Sequence, residues 1–320
     1  MISAVICTKD PRPDHLNRAI ESILSQDLAE DRWELLIVDN ASSSPVADLA
    51  AVRTAGDRAR VVVEPRPGLT AAKECASREL ASDVIVFVDD DNVLSPDYLG
   101  VVERIFGHEA LGVVGPDVRP EYEEPPPSWF RHPQLEASLV IRQLPNERLY
   151  VSTIPKTDSY FPSGAGSCVR GSVLRSYFEE LTEETRIEGR VGDRLSGGED
   201  WDIALYAISA GYLVGVSGEL RLTHLIPPGR VNERYLTRLA ISSLDSGKKL
   251  NDKWRARFGH DVIPFFPNVH IALALAATHA ALGFSPRHRI VARFHLHVAR
   301  LLMPDALRAL RGRLARSFRR

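Results

Sequence analysis

Three consecutive aspartates, Asp89-Asp90-Asp91, follow directly on the apolar run Val84-Ile85-Val86-Phe87-Val88. Like charges held side by side repel, and no stretch of core requires them. One aspartate, with Asn92, suits a turn and the cap of a following helix. The remaining carboxylates suit a hard divalent cation, Mg2+ or Mn2+, which takes one or two carboxylates together with phosphate oxygens. Other polar residues close other apolar runs: Thr8-Lys9-Asp10 after the run that starts at Ile2, Asp39-Asn40 after Leu35-Leu36-Ile37-Val38, and Pro67-Gly68 beyond Val61-Val62-Val63. A further acidic pair, Glu199-Asp200, opens a helical stretch that Gly211 closes. The helix dipole there favours an ionised carboxylate by ~0.3–1 kcal/mol. Simple N-capping also places acids at such a position.

The elements that must hold these residues alternate between two periodicities. Leu16, Ile20, Ile23 and Leu24 recur at helical spacing, residues 70–80 read as a helix, and Ser95-Pro96 supplies an N-cap and a first-turn proline for another. Continuous apolar runs separated by amphipathic helices predict a mostly parallel sheet covered on both faces, an α/β fold. In such a sheet the carboxyl ends of the strands share one edge, where open α/β folds bind ligands. Residues 116–165, with Pro116, Pro120, Pro125-Pro126-Pro127, Pro133 and the acids Glu121, Glu123 and Glu124, read as surface loops. Residues 212–217 read as a strand, and from Asn232 the pattern is helical almost to the end.

A composition of 44% hydrophobic and 26% charged residues over 320 positions is that of a globular protein and excludes disordered, fibrous and disulfide-scaffold classes. Cys7, Cys75 and Cys168 lack metal-site spacing and suit a reduced compartment. The first residues have neither the basic nor the apolar region of a signal peptide. The longest apolar stretch, residues 269–284, contains His270 and His279 and falls short of the ~20 residues that a spanning helix needs. A cytoplasmic location follows as the expectation. Neither a P-loop nor a G-x-G-x-x-G turn is present, which disfavours NTPases and dinucleotide oxidoreductases. The net charge of −2 divides unevenly: residues 285–320 hold ten arginines against Asp305, and residues 1–284 carry −11. Within residues 304–320, Leu307, Leu310, Leu314 and Phe318 share a stripe while Arg308, Arg311, Arg316 and Arg319 lie elsewhere, and Arg313 and Arg320 add charge. Such a helix suits the surface of an anionic membrane, and it equally suits packing on the preceding helices. Nucleic acid is disfavoured because no binding fold accompanies the charge.

Taken in order, Cys7-Thr8-Lys9-Asp10 with Arg12-Pro13, Leu36-Ile37-Val38-Asp39-Asn40-Ala41-Ser42, Gly68-Leu69-Thr70-Ala71-Ala72-Lys73, Val88-Asp89-Asp90-Asp91 and Gly198-Glu199-Asp200-Trp201-Asp202 resemble the inverting glycosyltransferases of family 2, which have the GT-A fold. The likeness spans residues 1–225. It implies a nucleotide-sugar donor, expected to be a UDP-sugar, a divalent metal and inversion at the anomeric carbon. By the same resemblance Thr8, Asp10 and Asp39 are nucleoside-binding positions, with Asp39 facing the base, and Lys73 and Asp90 join them on the donor. Asp89 and Asp91 are the outer members of the D-x-D metal motif, Asp200 is the general base, and Glu199 positions the acceptor or supports that base. Two departures stand out: the family's usual Asn is Asp10 here, and its Arg-Asn pair is Lys73-Glu74. Related transferases often place a His or Arg against the metal or diphosphate where this chain has His224 and Arg230; a structural role is as good a reading for both.

Trp129 and Trp201 suit either sugar stacking or core packing, and His295 and His297 fall on different faces of a helix. The expected organisation is a nucleotide-sugar-binding half (residues 1–115), an acceptor and catalytic-base half (116–225), and a helical extension with the basic tail (226–320). The expected acceptor is a saccharide or lipid-linked saccharide, and a place on the cytoplasmic face of a membrane fits it. The rival readings are a sugar-nucleotide pyrophosphorylase, which would need a Gly-rich loop after the first strand, and a non-catalytic carbohydrate-binding protein on the same fold.

Overall fold

The computed structural model describes residues 1–155, 160–192, 194–264 and 269–303; the arginine-rich stripe of residues 304–320 lies outside the described residues. Its strands are β1 (Ile2–Thr8), β2 (Trp33–Asp39), β3 (Ala59–Val63), β4 (Val84–Val88), β5 (Asn92–Leu94), β6 (Leu111–Tyr122), β7 (Leu149–Ser152), β8 (Cys168–Arg170) and β9 (Leu213–Ile226). The helices are α1 (Pro13–Leu24), α2 (Ala50–Ala55), α3 (Leu69–Glu79), α4 (Tyr98–Phe106), α5 (Pro133–Ser138), α6 (Gly171–Glu180), α7 (Glu199–Ser209), α8 (Glu233–Phe258), α9 (Val269–Ala281) and α10 (Pro286–Leu302).

The strands form one sheet in the order β3-β2-β1-β4-β8-β6-β9-β5, with β7 also paired to β9. The first four are parallel, as the apolar runs predict. The second half is mixed. β8 runs antiparallel between β4 and β6, because the chain reaches it from the carboxyl edge and then turns straight into α6. Alternate residues of β1 feed two cores. Ile2, Ala4 and Ile6 pack with Leu16, Ile20 and Ile23 of α1, while Val5 packs with Ala72 and Ala76 of α3 and with Ile203 and Ala204 of α7. Burial on both faces is what makes these strands continuous apolar runs.

Two expectations need correction. Ser95-Pro96 does not open a helix: Asp97 precedes α4 at Tyr98, and Ser95 instead accepts a turn bond from the Tyr98 amide at 3.0 Å. Residues 116–165 are not loops throughout, since β6 runs to Tyr122 through Pro116 and Pro120. Val118 exchanges both backbone bonds with Arg142, on the side of β6 away from β9. Residues two apart share a side, so both prolines turn their missing N–H away from the β9 ladder. Trp129 and Trp201 pack against the Phe130 and Ile203 clusters respectively, the core-packing alternative.

One carboxylate ties helix α7 to both α6 and α8. Asp202 is fully buried and accepts from Tyr177 Oη of α6 and from Lys253 Nζ and Trp254 Nε1 of α8, each at 2.6 Å. Removing one partner of a buried ion pair leaves an uncompensated charge. Asp202→Ala should therefore lower unfolding stability by about 3–5 kcal/mol, read from urea midpoints at constant m-value.

Candidate active site

Each acid of the sequence pattern is placed by the end of a strand or the start of a helix. Thr8 ends β1, Asp39 ends β2, and the aspartate triplet follows β4. The short strand β5 then pairs with β9 so that Asn92 lies opposite His224. The Leu225 amide donates to the Asp91 carbonyl at 2.8 Å, which brings the triplet against the end of β9. Glu199 and Asp200 begin α7 after Gly198, whose φ of 102° lies in the left-handed range that favours glycine.

Asp91 is the most enclosed of the triplet. Its Oδ2 lies 2.7 Å from Arg230 Nη1, and Asn92 Nδ2 donates to its Oδ1 at 3.0 Å. Burial raises the Asp91 carboxyl, but the His224 ring and the Arg230 and Arg190 guanidiniums more than reverse this and hold it well below the usual carboxylate range. Asp90 accepts a hydrogen bond from the Thr8 hydroxyl. Burial and the neighbouring Asp91 charge push its pKa up to about 6. Burial and Asp91 also raise Asp89, which Lys73 and Arg190 partly offset. Crowding and burial thus raise two of the three acids, while the positive groups nearest Asp91 lower the third.

The donor set at Asp91 and His224 fits a divalent ion. His224 Nδ1 lies 3.1 Å from the Leu139 carbonyl, an acceptor, and Nε2 lies 3.1 Å from Arg230 Nη1, a donor. Nε2 also lies 3.6 Å from Asp91 Oδ2. A carboxylate and an imidazole nitrogen converge where a guanidinium supplies positive charge, and both are ligand types that a divalent cation takes.

A second group lies across the same edge. Lys73, in the second turn of α3, donates to Glu199 Oε1 at 3.0 Å, and both side chains are buried. Burial lowers the Lys73 pKa, yet Glu199 and Asp200 hold it at about 12. Asp200 lies deep in the site while keeping part of its surface open. Burial, then the Glu199 charge, raises its pKa to about 6 against the pull of Lys73. The Trp201 amide donates to Asp200 Oδ1 at 2.9 Å. Gly164 packs so closely that an added Cβ would lie 3.3 Å from Asp200 Oδ2. Since Lys73 acts on Asp89 as well as on Asp200, the two groups form one electrostatic unit.

Asp10 and Asp39 occupy a neighbouring corner and serve their own loops in this structure. Both Asp39 oxygens accept backbone bonds at 3.0 Å, from the Ser42 and Val46 amides. Asp10 has φ 49° and accepts from the Ser43 amide at 2.6 Å. The left-handed region is one that Asn and Asp tolerate better than other residues, which explains how an acid stands where the resemblance expects Asn.

Residue patterning missed three contributors. Asn40 is buried and bonds the Arg66 carbonyl and the Gly68 amide, each at 2.7 Å, fixing the turn before α3. Arg190, exposed in the segment before α7, acts on Asp89 and Asp91 through its charge, and Leu69 N bonds its carbonyl at 3.0 Å. Ser163 Oγ, beside Gly164, is buried without a hydrogen-bond partner. Asn40 stands in the quoted motif and could have been found there; an arginine far along the chain gives no such signal.

The model of the family described as "Glycosyl transferase family 2" matches residues 3–178. The succinoglycan biosynthesis protein ExoW of Rhizobium meliloti (strain 1021) is 30% identical over 102 residues, a segment that spans 31% of this chain and 31% of that relative. Among solved structures, S. aureus TarS 1-349 in complex with UDP has a TM-score of 0.50 at 14% identity, covering 93% of this chain and 89% of that one. GalNAc-T7 with UDP, GalNAc and Mn2+ has a TM-score of 0.51 at 14% identity, covering 80% of this chain and 50% of that one. At such identities the two structures speak for the GT-A fold alone. Glu199, Asp200, His224 and Arg230 lie beyond the matched segment, whereas the strand ends Thr8, Asp39 and Asp89–Asp91 lie inside it. Over more than half of its length the sequence fits this one family, and the chain belongs to glycosyl transferase family 2.

Proposed function

We propose that the protein is a metal-dependent inverting glycosyltransferase that moves a sugar from a UDP-sugar to a saccharide or lipid-linked saccharide. The observation that carries this reading is the meeting, at one sheet edge, of a carboxylate suited to act as a base, Asp200, with a group of acids and guanidiniums suited to a nucleoside diphosphate. UDP on TarS, and UDP with Mn2+ on GalNAc-T7, support the choice of donor and metal. In this assignment residues 1–115 bind the donor, residues 116–225 bind the acceptor and hold the base, and residues 226–320 form the extension, whose tail reaches an anionic membrane.

Asp91, Asp89 and His224 would hold Mg2+ or Mn2+, which supplies Lewis-acid neutralisation of the departing diphosphate. Arg230 and Arg190 bring fixed positive charge to the same place. Thr8, Asp10, Asp39, Lys73 and Asp90 line the donor side. Asp200 takes the proton of the acceptor hydroxyl as that oxygen bonds to the anomeric carbon. The bond from that carbon to the β-phosphate oxygen breaks on the opposite face, and its electron pair leaves with the nucleoside diphosphate. A carboxyl whose pKa lies nearer neutrality than an ordinary aspartate is a stronger base once ionised. Glu199 and Lys73 set that environment, because their ion pair lies against Asp200.

Three measurements test the reading. Asp200→Asn keeps the shape and removes the base; transfer should fall by about 10³-fold or more while UDP affinity stays within about twofold. Equal loss of both would refute the role. The ionised form of Asp200 is the active one, so in the wild type kcat/KM should fall with unit slope as pH drops below about 6. Calorimetric titration with UDP should show affinity that rises with Mn2+ and loses that rise in Asp91→Asn; absence of UDP binding with or without Mn2+ would overturn the donor assignment.

A further inference from the structure

Helix α9 contains no charged residue, and the uncharged run of sequence extends over residues 262–286. One side of the helix is enclosed. Ala272 packs with Leu244 of α8 and with Val298 and Ala299 of α10, Ala276 is buried, and His279 stacks on His295 with ring centroids 5.9 Å apart. The remaining surface is open. Ile271 and Leu273 are 47% and 37% exposed, Ala274, Ala277 and Ala281 are exposed, and the turn that follows carries Leu282 at 48% and Phe284 at 96%. A helix apolar on all sides is normally enclosed on all sides, and a contiguous apolar face left in water marks a contact surface.

The charge of the neighbouring helix points to what covers it. Residues 287–303, which follow the uncharged run, hold Arg287, Arg289, Arg293 and Arg300 and no acid, and Arg300 and Arg293 of α10 are exposed, the latter while paired with Glu233. An uncharged apolar helix joined to dense positive charge is the composition of an element that lies in the headgroup region of an anionic bilayer. A second copy of the chain seated on the same face would bring two such arginine-rich segments together, which their repulsion opposes. At 1.5 Å per residue the 13 residues of α9 extend about 20 Å, short of the ~30 Å hydrocarbon core. No helix among the described residues is long and apolar enough to cross a membrane.

We propose that the outer face of α9, with Leu282 and Phe284 of the turn after it, docks the protein on an anionic lipid surface. This surface is separate from the nucleotide site and does not rest on the transferase reading. Co-sedimentation of the full chain with phosphatidylglycerol–phosphatidylcholine vesicles and with phosphatidylcholine vesicles provides the test. The wild type should partition to the anionic vesicles, and Leu273→Gln combined with Phe284→Ser should weaken that partition by about tenfold, with the thermal unfolding midpoint held. Undiminished sedimentation of this variant would overturn the proposal, above all if deletion of residues 304–320 alone abolished binding. So would a dimer, seen by sedimentation equilibrium, that the same substitutions dissociate. Phe284→Trp gives a readout free of any loss of stability: its emission should shift to shorter wavelength on anionic vesicles, relative to the parent chain, and no shift would equally overturn the assignment.

Discussion

The ammonium of Lys73 sits 3.0 Å from the Glu199 carboxylate with both side chains buried, and the site is organised around that contact. Lys73 belongs to α3, in the parallel half of the sheet, and Glu199 to α7, beyond the mixed half. Their pairing joins the two halves at the carboxyl edge. It also sets the local charge. Lys73 offsets the raised pKa of Asp89 on one side and of Asp200 on the other, so a single cation makes several close acids tolerable. Its ammonium also lies 5.1 Å from the centre of the Phe87 ring of β4, whose face suits a positive charge. Taking such a pair out of water is compensated only where geometry and further contacts are good, and here both ends have them.

The first turn of α7 shows how three close acids acquire three different environments. Glu199 turns into the interior towards Lys73, and Asp202 turns towards Tyr177, Lys253 and Trp254. Each of these two is paired with a lysine from a different helix, the buried Lys73 of α3 and the partly exposed Lys253 of α8. Asp200, between them in sequence, points to neither lysine and faces Gly164. Burial and the Glu199 charge raise its pKa, and Lys73, which makes no direct ion pair with it, offsets only part of that rise and leaves its carboxylate available.

The parallel strands, the aspartate triplet and the Glu199-Asp200 pair were legible in the sequence because each rests on a local rule: a buried strand is a continuous apolar run, and an unexplained cluster of like charge asks for a counter-ion. Lys73 stood in the motif as a donor-binding position, but nothing local marked Glu199 as its partner. The antiparallel β8 and the proline-containing β6 were not legible, since pairing direction and the side to which a proline nitrogen points depend on neighbours distant in the chain. Position α-carbon by α-carbon, β5 is too short for periodicity to register, yet its pairing is what sets His224 against Asp91. Arg190 was invisible for the same reason, because its segment is tied to the start of α3 by the Leu69–Arg190 backbone bond, between residues far apart in the chain.

The C-terminal helices are braced to this site through α8, and that bracing constrains how its parts can move. Ser246 and Leu250, in the middle of α8, approach the Gly197-Gly198 turn that launches α7: Gly197 N lies 3.3 Å from Ser246 Oγ, and a Cβ on Gly198 would lie 3.2 Å from Leu250. Further along, Lys253 and Trp254 hold Asp202. Helix α8 starts three residues after Arg230, with Asn232 as the cap and Glu233 gripped by Arg289 and Arg293 of α10. One helix therefore touches the turn that launches α7 at its middle and adjoins the guanidinium that faces Asp91 at its beginning. Its first turn is held by half-exposed ion pairs, which are individually weak, whereas its later turns are held by the buried Asp202 carboxylate.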